Sequence, residues 1–143
     1  VAAMADAPAD SVVLFKFCFV DFNGGDYDNE LDTYLDYVAE VADAAEARGV
    51  SLILGTALPK VAGETTLELV AEHREFGERL EEFAADRRGR GQDVVVLDLN
   101  AVLTDDDGAL RDRYAVSADD SHLTDAAYNA LDDVLLPLLD ERR

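Results

Sequence analysis

Apolar positions along the chain recur with two different periods, and the alternation between those periods predicts the order of elements. "SVVLFKFCFV" (11–20) is apolar on both faces apart from Lys16 and reads as a fully buried strand. The Gly, Asn and Asp content of "DFNGGDYDN" (21–29) marks a loop. A helix follows over about 29–48, with Leu31, Leu35, Val38, Ala42 and Ala45 at helical spacing and Gly49 as its stop. "VSLILGT" (50–56) is a second short buried strand, running into the loop "ALPKVAG". A second helix, about 64–86, turns Leu67, Ala71, Phe76, Leu80 and Phe83 inward and breaks at "RRGRGQ". "DVVVLDL" (93–99) is the third strand, and "NAVLTDDDGALRDRYAVSADDSH" reads as a long irregular connection. The last helix starts near Thr124, a fair N-cap, and presents Ala127, Leu131, Val134, Leu135 and Leu138. Pro137 is expected to kink or end it.

Strand and helix alternating three times spell an α/β domain with a parallel sheet and right-handed crossovers. Three strands make a thin layer. The first is apolar on both faces, as central strands are, yet no upstream segment can pair with its other side. A flat, apolar, exposed edge invites aggregation. The expectation is therefore a sheet truncated at its N-terminal side, or a homodimer that covers the edge of the strand at 11–20. "VAAMADAPAD" looks like a helix tail running into a linker, and the first residue is Val, as in a chain cut from something longer. The rest, within 1–143, is read as a single domain.

Charge narrows the partners. With 32 acidic residues against 12 basic, the formal net charge is −20. Such a chain repels nucleic acid and anionic membranes. No apolar run approaches the length of a membrane span. The acids dot helix faces and loops and read as a solvated surface. Rich in Asp, with Lys16 and Lys60 as the lysines, that surface resembles those of proteins from high-salt organisms. One cysteine, Cys18, excludes an internal disulfide and a cysteine-rich zinc site, and it reads as core. No metal or cofactor is implied by the spacing of the two histidines, and His73, mid-helix among charges, reads as exposed.

Open parallel sheets bind ligands beyond the carboxyl ends of their strands. Asp21 and Asn23 follow the first strand, Thr56 the second and Asn100 the third, and the loop with Asp119 and His122 leads from the same end. Asp119 stands three residues before His122, within reach of the imidazole Nδ1. Such a bond would fix the tautomer and leave Nε2 free to take a proton. The plainer alternative is that Asp119 and Asp120 decorate the start of the last helix beside a surface histidine.

"SADDSHLTDAAYNAL" resembles the last block of the SGNH (GDSL-type) ester hydrolases, in which Asp-x-x-His supplies the acid and base of a Ser-His-Asp triad and a helix follows. "VVLFKFCFVDFN" is similar to the third block of a divergent branch, and "LILGTALPK" to the fourth segment. "HREFGERL" stands where an Arg-x-Phe-Asn-like helix is usual, with Gly77 replacing the Asn. The resemblance covers nearly the whole chain from about residue 10. It implies a three-layer flavodoxin-like fold, His122 as base, Asp119 as its acid, and a small-molecule ester as substrate. It also implies a strand ending in Gly-Asp-Ser, and that block does not occur between residues 1 and 143. Ser11 and Ser51 sit at the wrong ends of their strands, and Ser117 and Ser121 flank the histidine without following a strand. Where the wider family carries Gly-x-Asn-Asp, this chain reads Cys18-Phe19-Val20-Asp21, so Asn23 or a backbone N–H would serve the oxyanion, with Asp21 beside it as an oxyanion-side or substrate-binding candidate. The chain itself is then expected to be inactive. The rival reading is a non-catalytic, receiver-like binding module in which acids such as Asp21 and Asp98 hold a divalent cation. Lys60 lies in the wrong segment for that.

Dense like charge is screened by salt, since the Debye length falls to ~3 Å at 1 M. The melting temperature is expected to rise between low and molar KCl; a flat or falling value contradicts a surface adapted to salt.

Overall fold

The computed structural model describes residues 8, 10–25 and 27–142. The expected helix tail and linker over 1–10 thus lies largely outside the described residues.

Three parallel strands, β1 (Val12–Phe15), β2 (Ser51–Gly55) and β3 (Val94–Leu97), form a sheet in the order β1-β2-β3. Leu14 pairs with Ile53, and Ile53 in turn with Val95, so side chains of like parity share a face. One face, carrying Val13, Leu52, Leu54 and Val94, packs under α1 (Asp28–Glu46) and α2 (Leu67–Gly89). The other, carrying Val12, Ile53, Val95 and Leu97, packs under α3 (Leu99–Leu103) and α4 (Asp125–Asp140). This is the three-layer α/β arrangement expected from the alternation of elements.

Several elements differ from the sequence reading for local reasons. Pairing in β1 stops at Phe15, and a 3₁₀ turn forms at Phe19–Asp21. Because β1 is an edge, alternate residues Leu14, Lys16, Cys18 and Val20 are exposed, and the stretch is not fully buried. Lys16 reaches solvent directly and needs no buried carboxylate, and Cys18 is exposed, not core. In α2 the inward face is Leu69, Glu72, His73, Phe76, Leu80, Ala84 and Arg87. Leu67, expected inside, is the first helical residue and is 85% exposed. Charged residues at buried positions disguise that face. Thr66 caps the helix, its hydroxyl accepting from the Leu69 N–H at 3.1 Å.

The connection after β3 is structured. It contains α3, a 3₁₀ turn at Asp112–Tyr114 and an antiparallel hairpin of β4 (Ala115–Ser117) and β5 (Asp120–Leu123). Strands of three and four residues in an Asp-rich stretch leave little periodic signal. Pro137 sits inside α4, which runs on to Asp140.

Phe17, Phe22, Tyr34 and Phe76 form a cluster of edge-on and tilted rings, with Phe17 and Phe76 centroids 5.7 Å apart. It joins the segment after β1 to both helices of its face. Truncating one of its two fully buried members, Phe76→Ala, is expected to cost about 3–5 kcal/mol in urea unfolding. A loss below about 1 kcal/mol would mean that the cluster does not anchor this layer.

Candidate active site

Parallel strands end at one rim, and the polar residues singled out above lie along it. Asp21 follows β1 and braces its own turn: its Oδ2 accepts from the Cys18 N–H at 2.7 Å. The Asp21 carbonyl accepts from the Tyr34 hydroxyl. Asn23 is exposed, while its backbone N–H, like that of Gly24, donates to the Glu72 carboxylate at 3.1 and 2.7 Å. Beyond β2 and β3 a tighter network forms. Asp98 caps α3, accepting from the Ala101 N–H and from the Thr56 hydroxyl, both at 3.0 Å. The Asn100 N–H donates to Thr56 Oγ1 at 3.0 Å.

The hairpin brings His122 to this rim. Ser121 is buried and fastens it: its hydroxyl accepts from the Val61 N–H at 3.0 Å and donates to Glu64 at 3.3 Å. The next residue points the other way, as strand alternation requires. The His122 ring lies edge-on to Phe19, with centroids 5.3 Å apart, just past the end of β1. Its side chain is 74% exposed.

The carboxylate on that ring differs from the one expected. His122 Nδ1 lies 2.6 Å from Asp120 Oδ1, which also accepts the His122 backbone N–H at 3.0 Å. Asp119 instead accepts from the Ser117 hydroxyl at 2.5 Å. The reason is parity. Asp120 and His122 are both in β5, two residues apart, so their side chains leave the same face. Asp119 belongs to the hairpin turn. A carboxylate only accepts, so Nδ1 carries a proton, and in the neutral form of the ring the lone pair is then on Nε2. The Asp120 carboxyl is held below its usual range, first by the His122 backbone N–H and then by the imidazole.

His73 reverses its expected role more completely. It is buried, edge-on to Phe22 with centroids 5.3 Å apart, and its Nδ1 faces Asn100 Nδ2 at 3.3 Å. Burial, helped by the charge of Lys60, pushes its pKa down to about 4. With Thr56, Asp98, Asn100 and Thr104 it lines a cleft of about 740 Å³ between α2 and the end of β3. The adjacent Glu72 is fully buried as well. Neither residue stood out in the sequence, where charge on a helix reads as solvated surface. Among the described residues no group of three or more His, Cys, Asp or Glu is gathered as metal ligands would be. Asp21 and Asp98, the acids of the receiver-like reading, are each engaged by a turn of their own.

No protein-family model matches the sequence, and no curated protein does. Solved structures share its fold. A GDSL-like lipase from Bacteroides thetaiotaomicron superposes with a TM-score of 0.70 at 17% identity, covering 93% of this chain and 63% of that one. A candidate acylhydrolase from Bacteroides fragilis gives 0.70 at 16%, covering 93% and 63%. A candidate lipolytic protein of the G-D-S-L family from Desulfitobacterium hafniense gives 0.64 at 19%, covering 90% and 65%. The chain therefore has the fold of GDSL-type lipases and acylhydrolases, in agreement with the resemblance read from its motifs. It spans less than two thirds of each of these three structures.

Two outcomes follow for the histidines. In nitrogen-15 spectra at alkaline pH, where the ring is neutral, His122 is expected to be the Nδ1–H tautomer in wild type and Asp119→Asn. Asp120→Asn should shift it toward Nε2–H; the reverse pattern restores Asp119 as the orienting acid. The His73 Hε1 resonance should reach the midpoint of its titration only near pH 4. Because its folded pKa is depressed from 6.5, His73 withdraws stability as pH falls from 6.5 toward about 4. A ring that titrates near 6.5 would contradict its burial.

Proposed function

We propose that this chain is the acid–base part of an SGNH-type ester hydrolase that cleaves an acyl or acetyl ester through a Ser-His-Asp triad, with the serine supplied from outside residues 1–143. The observation that carries the reading is the placement of His122. An imidazole with Nδ1 tied to a carboxylate and Nε2 open stands beside the end of an edge strand, in a fold shared with acylhydrolases. No serine of the hairpin is spent on it: Ser117 is bonded to Asp119, and Ser121 to Val61 and Glu64.

In the reaction, the serine oxygen bonds to the acyl carbon as its proton passes to His122 Nε2. The tetrahedral oxyanion is held by N–H donors at the rim, with Asn23 as the side-chain candidate and Asp21 bracing its turn. His122 then gives its proton to the departing alkoxide, and the acyl–oxygen bond to the alcohol breaks. Water repeats the sequence on the acyl-serine, with His122 again as base. The carboxylate on Nδ1 stabilises the imidazolium throughout. The open side of β1 is where a preceding strand would add; edge-to-edge pairing with a second copy is the competing occupant, and the mass in solution separates them.

The 143-residue chain is expected to hydrolyse p-nitrophenyl acetate no faster than its His122→Ala variant. In a protein that also carries the serine, His122→Ala should lower kcat by on the order of 10⁴–10⁶-fold. Robust turnover by residues 1–143 that disappears in His122→Ala would place the nucleophile inside this chain and overturn the reading.

A further inference from the structure

The loop after β1 is held to α2 by an unusual anchor. Glu72 sits at a fully buried helix position where a leucine would pack without electrostatic cost. Its Oε2 accepts from two successive backbone N–H groups, those of Asn23 and Gly24, almost fifty residues away in sequence. Two adjacent amides aimed at one oxygen form an anion-holding concavity. Its Oε1 is buried with no hydrogen-bond partner among the described residues. Close approach makes the seating exacting: Gly24 has φ +69°, and a Cβ there would lie 2.5 Å from the Leu69 nitrogen.

We propose that Glu72 is a positioning residue: its buried carboxylate clamps the Asn23 and Gly24 amides and so fixes Asn23 at the rim where the acyl oxyanion would be held. The role given to Asn23 rests on the ester-hydrolase reading; the clamp itself does not. The next residue of α2, His73, meets the Asn100 side chain of α3 at 3.3 Å, so two consecutive residues of α2 touch segments that follow β1 and β3.

The energetics separate a positioning role from a packing role. Burial pushes the Glu72 carboxyl above its ordinary pKa, against the two amides that pull it down. Glu30 on α1 raises it further, Lys60 in the segment before α2 lowers it, and the Tyr34 hydroxyl on α1 feels its charge. His73 beside it is neutral above about pH 4. A raised folded pKa means that stability from this group is present below the ordinary glutamate value and is lost as pH rises through the raised one. The carboxylate form, which holds the two amides most strongly, is thus the form in which the global fold bears the cost of a buried charge. A group kept only for stability would not be chosen this way.

The test reads the amides of the 143-residue chain by NMR, with no turnover required. In wild type, the Asn23 and Gly24 amide shifts should titrate together with a midpoint above the usual glutamate value, and in Glu72→Gln this titration should vanish. Glu72→Gln should also speed exchange of these two amides by on the order of tenfold or more, the size of a lost charge-assisted bond, while the melting temperature stays equal or rises. Glu72→Leu should behave alike, and Glu72→Gln alone suffices if it does not fold. Exchange within about twofold of wild type, or faster exchange only in step with a lower melting temperature, overturns the clamp. In a serine-bearing protein, Glu72→Gln should lower kcat with KM held. An unchanged kcat beside a clamp seen by NMR overturns the positioning role, whereas a wild type that hydrolyses no ester would count against the ester reading and leave the clamp standing.

Discussion

Parallel pairing of β1, β2 and β3 is the constraint from which the rest of the molecule follows. Parallel neighbours cannot be joined by tight turns, so each connection must cross a face of the sheet and return. The crossovers α1 and α2 lie on one face, and α3, the hairpin and α4 are left to cover the other. All three strands then end at the same rim. Asp21 and Asn23, Thr56, Asp98 and Asn100 come together there for a reason of topology. What each does at the rim is decided more locally, by the turn that follows its strand: Asp98 caps a helix, Asp21 braces a 3₁₀ turn, and Thr56 joins the two neighbouring strand ends.

The same constraint produces the asymmetry of the sheet. β2 is paired on both sides and is almost wholly buried, whereas among the described residues β1 pairs with β2 alone and its Leu14, like Val20 in the turn that follows, is exposed. His122 stands at that open side, against Phe19. A general base needs a client within hydrogen-bond reach. The His122 ring and the open side of β1 lie together, which is the geometry on which the proposed delivery of a hydroxyl by a further strand rests. The proposed ester-hydrolase reading thus draws on the placement of His122 and on the shared fold as well as on motif resemblance.

Much of this was legible in the sequence. Helix α1 and strands β2 and β3 follow from apolar spacing, and Leu31, Val38, Ala42 and Ala45 face inward as their periodicity requires. The place of β1 at one edge of the three described strands also agrees with the reading of a strand with an open side. What escaped has a common cause: period and polarity report the average fate of a residue type. Glu72 and His73 lie on the inward face of α2, but a carboxylate and an imidazole in a charged helix look like solvent contacts until the rim loops are seen packed on them. The hairpin escaped because its strands are too short to show alternation. That miss carried the next one. With Asp119 and His122 read as a turn, a spacing of three looked right; in a strand the spacing that brings side chains together is two, and Asp120 holds the ring.

The central claim is that His122 serves a hydroxyl from beyond residues 1–143. A fluorophosphonate probe, which bonds to triad serines, tests it on the protein as its own gene expresses it, with the adduct located by mass spectrometry. The account predicts one adduct, on a serine outside this stretch, that is lost in His122→Ala. An adduct within residues 1–143, or labelling indifferent to His122, would contradict it.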